Sequence, residues 1–148
     1  MPDAILRRLD FTVCAVHYKF DLGEKAQTER ILRAMDDRYC TILAHPTGRL
    51  LGERPGYSID LDRVMEGAKA RGCFLELNAH PARLDLDDVH CKQAKEMGLK
   101  LAISTDAHST AGLNAMRFGI GQARRGWLEA QNVLNTRSWP ELKKLLVR

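Results

Sequence analysis

The segment Ile103-Ser104-Thr105-Asp106-Ala107-His108-Ser109 decides how this 148-residue sequence is interpreted. It continues the apolar run 99–103, which has the composition of a buried strand, and it ends in an Asp-x-His pair. Residues two apart on a strand point to the same face, so both side chains can turn into one pocket past the strand end. A carboxylate next to an imidazole is a ligand pair that suits zinc, manganese or iron.

Two other apolar runs end in the same manner. The run 11–16 is followed by His17, and the run 41–44 is followed by His45 and then Pro46. Three strand-like segments therefore each place a ligand-type residue at the carboxyl end. In parallel β/α proteins the functional sites form at that end of the strands, so we expect these side chains to share a site.

Strand-like and helical patterns alternate along the chain, which predicts an α/β protein with a parallel sheet. An open doubly wound sheet and part of a (β/α) barrel both fit this order. The predicted strands are 11–16, 39–44, 73–77 and 100–104, the helices are 24–35, 60–70 and 85–97, and further helical patterns cover 113–125, 128–133 and 139–147.

Composition narrows the functional classes only slightly. The net charge of +4, from 23 basic and 19 acidic residues, is compatible with a polyanionic substrate but too mild to indicate one by itself. None of the four cysteines forms a C-x-x-C pair, so no zinc knuckle or dithiol redox motif is indicated. There is no signal-peptide pattern and no apolar run near the ~18 residues of a membrane span, which predicts a cytoplasmic protein without membrane contact.

Seven segments together resemble the C-terminal part of the PHP (polymerase and histidinol phosphatase) domain. The version fused to bacterial and archaeal family X DNA polymerases matches well, and the resemblance covers nearly the whole chain. The segments that carry it are 16–20, 27–35, 45–50, 76–79, 83–86, 104–109 and 123–127.

The resemblance implies that 1–148 is a single partial PHP domain, the C-terminal portion of a distorted (β/α)7 TIM-like barrel. It also implies metal-dependent phosphoester hydrolysis at a centre of up to three divalent ions (Zn, Mn or Fe). His17, His45, Asp106 and His108 match family ligands. By this resemblance His17 and His45 share one metal, Asp106 serves a second, and His108 serves a third.

Further site residues are predicted with less support from the resemblance. Arg49 and Arg83 each follow a strand end by a few residues, and guanidinium groups suit phosphate oxygens, so both are candidate phosphate-binding residues. His80 is a candidate fifth ligand. No residue is identified as the catalytic acid or base.

The family pattern includes five upstream ligands that lie outside this sequence, so four of nine positions are present. The expected partners are a phosphoester substrate such as a DNA 3′ end in repair, and either the missing N-terminal half of the barrel or a second copy. Two alternatives stay open: a histidinol-phosphatase-like enzyme for small molecules, and a non-catalytic remnant or oligomerisation module. Segments 27–35 and 124–127 favour the polymerase-linked branch.

Overall fold

The computed structural model describes residues 2–146 and contains a four-stranded parallel sheet. The predicted α/β class with a parallel sheet is confirmed. The strands follow one another across the sheet in chain order, and each pairs with the next. They are β1 (Val13–Ala15), β2 (Ile42–Ala44), β3 (Phe74–Asn78) and β4 (Leu101–Ser104).

Helices connect and flank these strands, and the helix predicted at 24–35 is found with the same bounds. The α-helices are α1 (Asp3–Leu6), α2 (Glu24–Met35), α3 (Leu61–Arg71), α4 (Asp88–Glu96), α5 (Met116–Arg125) and α6 (Trp139–Leu146). Short 3-10 helices cover Ala111–Ala115, Ala130–Asn132 and Leu134–Thr136. The predicted end of the last helix at Val147 lies outside the described residues. Among residues 2–146, none of the helices combines the length and the apolarity that crossing a membrane requires.

The predicted helix at 85–97 was wrong at its start. Helix α4 begins only at Asp88, and the Asp87 carboxylate caps it by accepting the main-chain N–H of His90 at 2.9 Å. The residues before it form a loop because the Asp85 side chain is fully buried and accepts main-chain N–H groups from another loop. A tertiary contact thus overrides the helical tendency of this acidic stretch.

The two faces of the sheet are covered by different parts of the chain. Successive strand residues point to opposite faces, so each strand contributes to both. One face joins the main core, which is built with buried side chains of α2, α3 and α4. On the other face Ile42 and Phe74 pack with Leu134 and with Leu146 of α6. The last helix therefore covers the face that the connecting helices leave open.

The two edges of the sheet differ. Beside β4, Val133 forms a parallel bridge with Leu101. The Asn135 amide then accepts the main-chain N–H of Ile103 at 2.8 Å and donates to its carbonyl oxygen at 2.9 Å. One side chain thus satisfies both polar groups of a strand residue. Within residues 2–146, β1 pairs with a strand on one side only.

Candidate active site

Three of the four predicted ligands meet at the carboxyl edge of the sheet. His17 lies two residues after β1, His45 follows β2 directly, and Asp106 lies two residues after β4. The imidazole rings of His17 and His45 are 6.1 Å apart between centroids and nearly perpendicular. His45 Nε2 lies 3.8 Å from Asp106 Oδ2. The parallel sheet brings these groups together because all of its carboxyl ends lie on one side.

His108, the fourth predicted ligand, is exposed beside Asp106. Its Nδ1 lies 2.8 Å from the main-chain oxygen of Asp106, and a carbonyl oxygen only accepts. When the ring is neutral, Nδ1 therefore carries the proton, and Nε2 keeps a lone pair that is available to a ligand.

The backbone is strained at two of these positions. His45 has φ = 50° and Asp106 has φ = 54°, both in the left-handed region. This conformation costs a non-glycine residue about 1–2 kcal/mol. Strain of this kind persists only where the surroundings hold it, and it is concentrated at functional sites.

Glu76 is a buried carboxylate that holds His45 in place by hydrogen bonds. This buried residue of β3 accepts the main-chain N–H of His45 at 2.8 Å, and its Oε2 lies 3.3 Å from His45 Nδ1. It also accepts hydrogen bonds from Ser104 Oγ and from Asn78 Nδ2. Burial raises the pKa of Glu76, but hydrogen bonds with His45 and Ser104 outweigh it and hold the pKa below its usual value.

An ionised Glu76 fixes the orientation of the His45 ring. Asn78 Nδ2 also lies 3.4 Å from Nδ1, but the closer Glu76 oxygen is an acceptor, so we assign the proton to Nδ1. His45 Nε2 then presents its lone pair toward Asp106. Carboxylates that hold a ligating histidine in this way are a general feature of metal sites.

The donor set fits a divalent ion in part. The resemblance assigned His45 and Asp106 to different ions, and that division stays a prediction. The 3.8 Å between His45 Nε2 and Asp106 Oδ2 is also close to the separation of about 3.4 Å between two donors bound to one zinc ion at about 2.0–2.2 Å in tetrahedral geometry. The ring of His17 is further away and would have to approach. As the side chains lie, no three His, Cys, Asp or Glu groups within residues 2–146 stand close enough to hold a metal ion.

The two predicted phosphate-binding arginines have different surroundings. Arg83 Nε lies 3.2 Å from Asp106 Oδ2, so its guanidinium group is part of the site. Arg49 instead donates from Nε to the carbonyl oxygen of Arg83 at 2.9 Å, donates to the carbonyl oxygen of Leu84, and pairs with Asp87 at 3.3 Å. Arg49 thereby holds the loop that positions Arg83, and phosphate binding by Arg49 stays a prediction.

His80, the candidate fifth ligand, is exposed after β3. Its Nδ1 accepts the main-chain N–H of Ala82 at 3.2 Å, which leaves Nε2 protonated when the ring is neutral. The His80 ring is therefore hydrogen-bonded to the backbone of its own turn.

The loop after His45 is held by two buried polar groups. Asp85 accepts the main-chain N–H groups of Thr47 at 3.0 Å and Gly48 at 2.9 Å, and burial raises its pKa while these bonds partly oppose the rise. The Tyr57 hydroxyl donates to the carbonyl oxygens of His45 at 3.0 Å and Pro46 at 2.9 Å. The backbone of the strained His45 and of the residues that follow it is therefore held by hydrogen bonds to both its N–H groups and its carbonyl oxygens.

We expect Asp85→Ala to lower the free energy of unfolding by about 2 kcal/mol, because it leaves the buried N–H group of Gly48 and the part-buried N–H group of Thr47 without an acceptor. Chemical denaturation of the variant and the parent measures this difference. The control is Asp21→Ala at an exposed position, which should change stability by less than about 0.5 kcal/mol. Equal stability of the two variants would show that Asp85 does not hold the loop.

The sequence did not identify the roles of Glu76 and Asn78. Both are buried polar residues in β3, within an apolar strand. A buried carboxylate needs partners, so its presence inside a strand was a usable signal, although the partner could not be named from the sequence.

The chain is similar to several curated proteins. It is 42% identical over 146 residues, 99% of its length, to DNA polymerase/3'-5' exonuclease PolX of Bacillus subtilis (strain 168), and the match lies in the C-terminal part of that protein. It is 28% identical over 145 residues to a probable phosphatase of Thermoanaerobacter sp. (strain X514), and 31% identical over 117 residues to one of Caldanaerobacter subterraneus. These last two matches cover 92% and 73% of the chain.

These relatives are longer proteins. The chain spans 26% of the PolX protein, 57% of the Thermoanaerobacter phosphatase and 44% of the Caldanaerobacter one. No family model matches the chain. The comparisons establish homology to part of PolX and to proteins named as probable phosphatases.

Proposed function

We propose that this chain is part of a metal-dependent phosphoesterase of the PHP type, with His17, His45, Asp106 and His108 as metal ligands. The observation that carries the proposal is the approach of His45 Nε2 to Asp106 Oδ2 at 3.8 Å, beside the ring of His17. The names of the relatives, 3'-5' exonuclease and probable phosphatase, support phosphoester hydrolysis. The donor types suit zinc, manganese or iron.

The proposal also covers the fold, the source of the remaining ligands and the cellular location. A parallel sheet in sequential order, extended beside β4 by Val133, supports the interpretation of 1–148 as a portion of a (β/α) barrel. The remaining ligands would come from a longer polypeptide or from a second copy of the chain. We place the activity in the cytoplasm.

The residues of this chain have separable roles in the proposed reaction. Divalent ions at this edge would lower the pKa of a water molecule and offset the negative charge of the phosphate. Asp106 supplies a negative charge, and Glu76 orients His45 so that Nε2 faces the site. The Arg83 guanidinium uses Nε on Asp106, so its remaining N–H groups are suited to orienting a phosphoryl oxygen.

Two substrate classes compete. Similarity to PolX favours DNA 3′ ends, and similarity to the probable phosphatases favours a small phosphoester, as in a histidinol-phosphatase-like enzyme. A non-catalytic module is the third possibility, and it predicts that the chain neither binds metal nor hydrolyses either substrate.

The test compares the purified parent with the double variant His17→Ala/His45→Ala. We expect near one equivalent or more of zinc, manganese or iron in the parent by elemental analysis, and loss of that metal in the variant. Hydrolysis of 3′-labelled DNA and of p-nitrophenyl phosphate is then measured with each metal and after chelation. His90→Ala, which alters a histidine paired with Asp87 outside the site, serves as the control. A metal-free parent, or equal metal in parent and double variant, would refute the proposed ligand set for this chain.

A further inference from the structure

The loop that follows β1 carries an exposed aromatic side chain at the carboxyl edge of the sheet. Tyr18 comes directly after His17 and is 64% exposed. Consecutive Cα atoms lie about 3.8 Å apart, so the Tyr18 ring is attached to the chain immediately beside a proposed metal ligand. A substrate that reaches this edge of the sheet therefore passes close to the ring.

A guanidinium group covers one face of the Tyr18 ring. The Cζ atom of Arg30, in α2, lies 4.5 Å from the centroid of the ring, which is a cation–π contact. Arg30 Nη1 also donates to the carbonyl oxygen of Tyr18 at 2.9 Å, so the same side chain holds the ring and the backbone that bears it. Because Tyr18 stays 64% exposed beside this contact, its other face is open to solvent.

The backbone after Tyr18 is anchored by a second aromatic side chain. The rings of Phe20 and Tyr57 are stacked, with 6.1 Å between centroids and 11° between planes. The Cζ atom of Arg54 lies 4.1 Å from the centroid of the Phe20 ring. Tyr57 is buried and is hydrogen-bonded to the carbonyl oxygen of His45. Phe20 therefore ties the loop to the segment that holds the site, and Tyr18 is displayed from a fixed support.

Lys19 separates the two aromatic residues. Its φ of 54° lies in the left-handed region, which a residue with a side chain rarely adopts. The chain turns here, so that Phe20 packs against the core while Tyr18 stays outside it. Lys19 is itself exposed, and with Arg30 it places two positive charges beside the Tyr18 ring.

We propose that Tyr18 and Arg30 form a nucleobase-binding subsite, and that the substrate of the reaction is the 3′ end of a single DNA strand. The inference rests on the proposed function, and it decides between the two substrate classes. A base of any sequence can stack on the open face of an aromatic ring, and positive charges beside the ring suit the phosphates of a strand. A small phosphoester without a ring makes no use of such a surface.

The first experiment measures binding alone, with a chelator present so that no strand is hydrolysed. A single-stranded oligothymidylate with a fluorescent label at its 5′ end is titrated with the chain at low ionic strength, and anisotropy gives the Kd. We expect Tyr18→Ala to raise the Kd about 10-fold, because the stacking of a base is lost, and Tyr18→Phe to bind as the parent does. An abasic oligomer of the same length keeps the phosphates without the bases, so the parent and Tyr18→Ala should bind it equally.

Tyr39→Ala is the matched control for this experiment. The Tyr39 ring makes the same kind of contact, with Arg38 Cζ at 4.7 Å from its centroid, but it lies before β2, at the other edge of the sheet. This variant should bind oligothymidylate as the parent does. Three results would overturn the proposal: no binding by the parent, equal affinity of the parent and Tyr18→Ala, or an equal loss in Tyr39→Ala. Thermal unfolding of each variant confirms that folded proteins are compared.

A second measurement connects the subsite with hydrolysis. Tyr18→Ala should raise the KM for 3′-labelled DNA about 10-fold and leave the hydrolysis of glycerol 2-phosphate, which has no ring to stack, unchanged. Equal losses on both substrates would overturn the proposal, because they would mean that Tyr18 only supports the structure. A chain that binds oligothymidylate through Tyr18 but hydrolyses neither substrate would support the subsite and refute the proposed function, so the two failures are distinguishable.

Discussion

Replacement of Gly48 by alanine is expected to lower the free energy of unfolding by about 3 kcal/mol, the sum of a left-handed backbone penalty and a steric clash. Gly48 has φ = 66°. A Cβ atom at this position would lie 2.3 Å from Cε1 and 2.5 Å from Cδ1 of Tyr57. The Tyr57 ring cannot turn aside without cost, because its hydroxyl group is hydrogen-bonded to the carbonyl oxygens of His45 and Pro46.

Gly52→Ala is the matched control for this prediction. Gly52 also has positive φ, 79°, but a Cβ atom there meets nothing within 4 Å. We therefore expect it to lose only about 1 kcal/mol, from the backbone alone. Denaturant unfolding of both variants isolates the contribution of the Tyr57 ring as their difference, and equal losses would mean that the ring yields to the added methyl group.

The second large effect is expected at Asp106. Asp106→Asn removes the negative charge and one anionic oxygen while keeping the size of the side chain. We expect the affinity for Mn²⁺ or Zn²⁺, measured by calorimetric titration, to fall about 100-fold, or about 2.7 kcal/mol. Stability should change little, because asparagine keeps the size of the side chain and tolerates the left-handed backbone conformation at this position.

Arg83→Gln supplies a control of opposite sign. The Arg83 guanidinium lies 3.2 Å from Asp106 and competes with a cation for that carboxylate. Its removal should therefore strengthen metal binding and weaken the inhibition of hydrolysis by inorganic phosphate. Arg71→Gln, at an ion pair with Asp36 on another part of the molecule, should change neither property. Unchanged affinity in Asp106→Asn would exclude Asp106 as a ligand.

The site could be predicted to the extent that it depends on strand ends. His17, His45 and Asp106 each follow an apolar run, and parallel strands carry such residues to one edge regardless of the details of packing. The parallel sheet followed from the same alternation of patterns. The distances between these side chains depend on twist and register, which no local pattern contains.

Other features depend on contacts between residues distant in the chain. Glu76 meets His45 across 31 positions, and Asp85 meets Gly48 across 37. A sequence pattern shows that such carboxylates exist but not which group they face. The misplaced start of α4 has the same origin. Asp85 is an acidic residue of the kind that is common in a first helical turn, but its buried carboxylate accepts hydrogen bonds from the loop after His45 and keeps it outside the helix.

The amide of Asn135 has a consequence for how copies of this chain could associate. A sheet with two open edges can add copies at both ends and grow into a filament. Here the Asn135 side chain occupies the polar groups of Ile103, and Val133 lies beside Leu101, so strand addition at that edge is blocked. Only the β1 side offers a strand for pairing within residues 2–146. Association through the sheet would therefore stop at a closed pair of molecules.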